Sequence, residues 1–213
     1  AQARCHLTHR CHVAVRVNRV VIATEPIMLD PRERHNQLKR LPRAALGDDA
    51  VRLVGTRVDA HFKAGKNDAF VAETRISDIR CVLAIPVTFM NKSGQSAASL
   101  IKRFGITDSS RLIVVHDELD LEPGDTRLKM GGGLAGHNGL RSIAQHLGTN
   151  EFLRVRIGVG RPPSADRGGN WVLSKVPHRN RAELDNGVVD AADAVELVIT
   201  SGVDKAMQSV NRR

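Results

Sequence analysis

Apolar positions along the chain switch between two spacings. Val13, Val15 and Val17 alternate with polar residues and Val20-Val21-Ile22 then run on, which predicts a first strand ending near Ala23. Residues 24–60 are turn-like, punctuated by Pro26 and Pro31, then loosely helical through a basic segment carrying Leu38, Leu41, Ala45 and Leu46. From residue 61 the pattern sharpens. Phe70–Ile76 and Ile79–Ile85 predict two strands around a polar Ser77-Asp78 turn, and Pro86 closes the second. Ala97, Leu100, Ile101 and Phe104 form one helical stripe that Gly105 ends. Leu112–Val115 is wholly apolar, as a strand buried on both faces should be, and delivers His116-Asp117-Glu118-Leu119-Asp120 at its C-terminal end. Phe152–Gly160 predicts another strand, with Arg154 and Arg156 at alternate positions, followed by a loop over 161–170. Val188, Ala192, Val195 and Ile199 share a stripe within 180–200, and a short last helix starts after Gly202.

The middle of the chain holds its most distinctive stretch. Four glycines, Gly131, Gly132, Gly133 and Gly136, precede His137-Asn138. Leu140, Ile143, Ala144 and Leu147 then follow at i, i+3, i+4 and i+7, and Gly148 ends that helix. Glycine permits close backbone approach and positive φ, and a helix N-terminus offers free N–H groups and partial positive charge. The stretch therefore reads as a floor for a phosphate or a polarised carbonyl, with His137 and Asn138 at its rim. Strands alternating with helices predict an α/β fold. We expect a single domain over residues 1–213, a three-layer sandwich of a twisted mixed sheet with helices on both faces. Ligands in such folds sit beyond the C-terminal ends of strands. Asp117, Asn91 and the glycine stretch all follow strand candidates, which gathers them into one site.

Composition narrows the partners. Net charge is +9 and aromatic residues make up 3%, with no Tyr. The charge suits a polyanion such as nucleic acid, while so few rings exclude a stacking platform for single strands. The basic excess is uneven: residues 1–57 hold 11 Lys/Arg against 5 Asp/Glu, the other 156 residues 21 against 18. No apolar run reaches the length of a membrane span and no secretory segment is evident, so no membrane association is expected. Three cysteines make no disulfide framework and point to a reducing, cytoplasmic setting. Cys5, His6, His9, Cys11 and His12 crowd together at a spacing that fits no common zinc pattern. Cys81, inside an apolar strand, is expected to be buried core.

A histidine acting as a base needs a carboxylate or carbonyl to fix its tautomer and stabilise the imidazolium. Asp117 is the candidate orienter; His35, His116 and His137 are the candidate imidazoles, and spacing does not choose among them. Asn91 and Asn138 suit a carbonyl or developing oxyanion without titrating. The chain has no Gly-x-Ser-x-Gly and no Gly-Lys-Ser/Thr after its glycines, which argues against a serine nucleophile elbow and a nucleotide P-loop. The set reads as attack of a base-activated water on a carbonyl, with no metal or other cofactor.

Four motifs in order carry a family resemblance: Thr88-Phe89-Met90-Asn91-Lys92-Ser93-Gly94, His116-Asp117-Glu118-Leu119-Asp120, Gly131 through Leu140, and Arg156-Ile157-Gly158-Val159-Gly160-Arg161-Pro162. Over residues 61–213 the chain resembles bacterial peptidyl-tRNA hydrolases; residues 1–57 match poorly. The resemblance implies a monomeric single-domain α/β enzyme, without cofactor, that cleaves the ester joining a peptide to the 3′ ribose of tRNA. Arg34-His35-Asn36 matches the family's histidine motif, which makes His35 the base, Asp117 its orienter and Asn91 the oxyanion donor. Asn138 matches a substrate contact, Phe89, Met90 and His137 line the cleft, and Arg127, Lys129 and Arg156 match positions on tRNA phosphates. The first quarter departs. Where the family has Gly-Leu-Gly/Ala-Asn-Pro-Gly, this chain has Ala23-Thr24-Glu25-Pro26-Ile27, with Glu25 in the asparagine's place and Asp30 in a tyrosine's. That departure favours, as the alternative, a catalytically impaired RNA-binding relative.

Overall fold

A computed structural model describes residues 17–24, 46–162 and 180–212. Seven strands form one sheet: β1 (Arg19–Ala23), β2 (Lys63–Ala64), β3 (Ala69–Ile76), β4 (Ile79–Pro86), β5 (Leu112–Glu118), β6 (Thr126–Met130) and β7 (Leu153–Gly158). Their order is β2-β3-β4-β1-β5-β7-β6. The central pairs β4–β1, β1–β5 and β5–β7 are parallel, and β2–β3, β3–β4 and β6–β7 are antiparallel. The sheet is mixed, as expected.

Side chains on the central strands alternate between two cores. Val21, Ala23, Ile113, Val115, Val155 and Ile157 meet α1 (Leu46–Arg57), α4 (Arg181–Ser201) and α5 (Val203–Val210). Val20, Ile22, Leu112 and Val114 meet α2 (Ser93–Phe104) and α3 (Asn138–Leu147) on the other side. Burial on both faces is why β1 and β5 read as unbroken apolar runs. The layers are helix, sheet, helix, as the alternation of elements predicted.

The helix stops fall where the glycines placed them. Gly105 ends α2 at φ 63° and Gly148 ends α3 at φ 68°, a left-handed conformation that glycine adopts without Cβ strain. Five elements differ from the sequence reading. The two-residue edge strand β2 was not predicted. β5 runs past Val115 to Glu118, because His116, Asp117 and Glu118 stay in register with Arg156, Ile157 and Gly158 of β7. β7 ends at Gly158 rather than Gly160. β6 was not predicted; it is an edge strand whose only strongly buried apolar residue is Leu128. The loosely helical stretch resolves at its end into α1, which buries Leu46, Ala50, Val51 and Val54 and carries Asp48 and Asp49 in its first turn, where the helix dipole favours them. Leu38 and Leu41 lie outside the described residues, as do Val13 and Val15. Cys81 is buried core, as expected, and burial pushes its thiol up to about 11.

Candidate active site

The site forms where β5 ends against the mouth of α3. His137 is the N-cap of that helix. Its Nδ1 accepts the backbone N–H of Gly139 at 3.1 Å and of Leu140 at 3.2 Å. An imidazole nitrogen that accepts carries no proton, so the proton sits on Nε2, which donates to Asp117 Oδ1 at 3.3 Å. Asp117 is 4% exposed. Burial pushes its carboxyl up, but the effects led by the hydrogen bond from His137 outweigh it and hold the group below the usual carboxylate range.

His116 lies beside this pair, its ring edge-on to His137 at 5.0 Å. Its Nδ1 donates to the Asp117 carbonyl oxygen at 2.7 Å, and its buried Nε2 has no partner among the described residues. Burial, then the neighbouring His137, pushes its pKa down to about 3. Of the three imidazoles the sequence left open, His137 has committed both nitrogens, and His116 is a neutral, enclosed ring and a very weak base. His35 lies outside the described residues.

A cleft of about 260 Å³ opens here, lined by Met90, residues 116–120 and residues 135–138. It brings together Met90, Asp117, His137 and Asn138. Phe89 and Asn91 are exposed, Phe89 at 71%, and stand on or next to the 3₁₀ turn Met90–Lys92, which packs on α3. The sequence did not single out what holds that turn. Ser93 Oγ donates to the Thr24 carbonyl at 3.2 Å or the Met90 carbonyl at 2.9 Å, and Gly94 N–H donates to Ser142 Oγ at 3.1 Å. A Cβ on Gly139 would sit 2.9 Å from Thr24 Cβ, so only glycine lets α3 approach the end of β1 this closely.

The basic positions are not equivalent. Arg127 and Lys129 on β6 stand opposite Arg156 and Arg154 on β7, two cationic rungs side by side. Arg156 donates to the buried Glu118 at 2.9 Å. Arg127 lies 3.6 Å from Asp125 and donates to the Thr126 carbonyl. Lys129 is exposed and makes no ion pair among the described residues. Glu118 was missed as a structural partner because it is 38 residues from Arg156 in sequence and adjacent only through the β5–β7 register.

Among the described residues no cluster of His, Cys, Asp or Glu is arranged to hold a metal, and no helix is long and apolar enough to cross a membrane. The crowded Cys5–His12 segment lies outside them. Fold and site together define an α/β three-layer protein with a carboxylate-bearing cleft at the C-terminal end of its parallel strands. A family model described as peptidyl-tRNA hydrolase matches residues 41–213. Peptidyl-tRNA hydrolase of Frankia casuarinae is 47% identical over 156 residues, 73% of this chain and 79% of that protein. That of Rhodococcus opacus is 43% identical over 158 residues, 74% and 81% respectively. The crystal structure of peptidyl-tRNA hydrolase from Acinetobacter baumannii superposes with a TM-score of 0.80 at 31% identity, covering 92% of this chain and 96% of that one. The chain belongs to the peptidyl-tRNA hydrolase family. His35 and the departing residues 23–30 stand before the matched segment.

Proposed function

We propose that this chain hydrolyses the ester between a peptide and the 3′ ribose of tRNA, with His35, Asp117 and Asn91 carrying the chemistry. The observation that supports it best is a buried carboxylate, kept ionised at a helix mouth, facing the cleft beside Asn138. Asp117 uses Oδ1 for His137, and a carboxylate has lone pairs for further donors. His35 is the base: it takes a proton from water as the water oxygen bonds to the ester carbonyl carbon. The carbonyl oxygen becomes an oxyanion that the Asn91 amide stabilises by donation. Collapse breaks the bond to the ribose oxygen, which receives the proton from His35, and the peptide leaves as a carboxylic acid that gives its remaining proton to solvent. Asn138 holds the substrate at the rim, with His137, Met90 and Phe89 lining the cleft around it.

Lys129, Arg127 and Arg156 serve the phosphates, contacts that give affinity without reading sequence. Lys129 leads, because the other two share their charge with Asp125 and Glu118. The enzyme works as a cytoplasmic monomer and needs no cofactor. The test is His35→Ala on a model peptidyl-tRNA. Turnover is expected to fall by about 10²–10⁴-fold, the usual share of general-base catalysis. Unchanged peptide release by the variant would overturn the assignment of the base. A native chain that binds tRNA and releases no peptide would make it the impaired RNA-binding relative.

A further inference from the structure

Arg154 is the largest fully buried side chain among the described residues, and the chemistry above does not use it. It stands on β7 opposite Lys129, with Arg156 two residues on. A buried guanidinium is costly unless its donors are satisfied. Here backbone carbonyls meet its two outer nitrogens, Nη1 donating to Gly133 O at 2.9 Å and Nη2 to Gly131 O, while the buried Nε has no partner among the described residues. The forked, planar group thereby spans one turn of the glycine stretch, which a point-like ammonium is not shaped to do. Gly131 and Gly132 sit at φ 55° and 80°, so the turn depends on glycine. Asn150 Nδ2 holds the Gly132 carbonyl at 3.1 Å, and Gly131 N–H donates to Phe152 O at 3.1 Å. Four residues after Gly133 comes His137, then Asn138.

We infer that Arg154 is a positioning residue: its guanidinium staples the turn Gly131–Gly133 to β7 and so sets where His137 and Asn138 stand against Asp117. At 1% exposure the group has no surface to offer a substrate, so it acts through the turn and not by contact. Because C=O and N–H of a trans peptide point in opposite directions, drawing the carbonyls of 131 and 133 inward turns the N–H groups of Gly132 and Leu134 outward. The kinetic consequence rests on the hydrolase reading above; the structural one does not.

Two variants test it. Arg154→Met removes the fork. Gly132→Ala strains the same turn through its positive φ while keeping the guanidinium; its Cβ would press on the flexible Lys129 side chain, with Cε at 2.9 Å, and lie in ordinary contact with Arg154 Nη2 at 3.4 Å. Amide hydrogen exchange is expected to speed up across residues 131–140 in both, by about 10-fold or more, with β4 and β5 unchanged. On peptidyl-tRNA and on a minimal peptidyl ester of the terminal adenosine, kcat is expected to fall about 10–100-fold alike, the cost of a small misplacement. For Arg154→Met the slope of log(kcat/KM) against log salt should stay that of the native chain. Unchanged exchange at 131–140 in either variant overturns the inference. So does a defect confined to full-length tRNA with a salt slope reduced by about 1, which would mark a phosphate contact. If Arg154→Met does not fold, Gly132→Ala gives both readouts. If the native chain cleaves neither ester, the hydrolase reading falls and the exchange experiment still decides the staple.

Discussion

Replacing His137 by alanine removes two interactions made by opposite sides of one ring. Nδ1 caps α3 through Gly139 and Leu140, and losing an N-cap costs about 1 kcal/mol. Nε2 donates to Asp117 at 3.3 Å, and a hydrogen bond to a charged group contributes about 1.5–3 kcal/mol. The separation is long for such a bond, so the lower end applies, and the total comes to about 2.5–3 kcal/mol of stability near pH 7. His137→Asn separates the parts. A short amide caps the helix but does not reach Asp117, so it should recover about 1 kcal/mol.

Urea unfolding followed as a function of pH is the assay, because the loss carries a sign. The Asp117 carboxyl is depressed in the folded chain: burial alone would raise it, and the His137 hydrogen bond outweighs burial. A depressed carboxyl contributes stability that is fully present above its unfolded value of about 3.9 and is lost as pH falls through the folded value. The gap between native and His137→Ala should thus be full at neutral pH and narrow below about pH 4 toward the share of the cap, about 1 kcal/mol. In the variant burial acts with less opposition, so its own carboxyl titrates higher and acid relieves it. Equal losses for Ala and Asn, or a gap that does not change between neutral pH and pH 3, would refute the account.

Other residues give sharper, smaller tests. Thr24 Oγ1 is buried beside α3 without a partner among the described residues, so Thr24→Val should stabilise by about 1 kcal/mol and raise Tm by about 2–4 °C; a lower Tm counts against the orphan hydroxyl. The Cys81 thiol, pushed up by burial to about 11, should resist iodoacetamide in the folded chain near pH 8 and react in denaturant, read on its own peptide by mass spectrometry. Alkylation of that peptide in the native protein would show the strand opening. For Glu118 and Arg156, a double-mutant cycle with Gln at each position should return a coupling of about 1–3 kcal/mol, and additivity would mean the pair is incidental.

The central sheet was legible because burial on both faces favours apolar residues over Val20–Ala23 of β1 and Leu112–Val115 of β5, which appear as runs of Val, Ile, Leu and Ala. The edge strand β6 was not: Thr126-Arg127-Leu128-Lys129-Met130 buries one face only, and its alternation is too short to separate from a loop. Asp117 and the mouth of α3 were read as neighbours from their place after strands, although Asp117 proved to be within β5. What local sequence could not supply was pairing across the sheet. Arg156 reads as a free cation until β5–β7 register sets Glu118 beside it, and Arg154 reads as one more basic residue until the returning glycine turn meets its fork. Nor does sequence reveal which nitrogen of His137 bears its proton; the cap decides that.

The cap also explains how the site divides work among its histidines. The α3 N-terminus carries partial positive charge, which favours an anion close by and disfavours a cation on the capping ring. His137 meets both conditions in one tautomer, presenting a lone pair to the helix and an N–H to Asp117. His116 adds a second neutral ring, with its N–H turned to a backbone carbonyl, so neither neighbour brings a full positive charge to neutralise Asp117. The carboxylate therefore keeps most of its charge in a place with little water, where that charge acts strongly. A negative charge held this way is of most use to an imidazole that becomes cationic only when it takes a proton from water. The role calls for a third histidine whose nitrogens neither the helix nor the core has claimed, which is why the base is sought at position 35 and not in the two rings that touch Asp117.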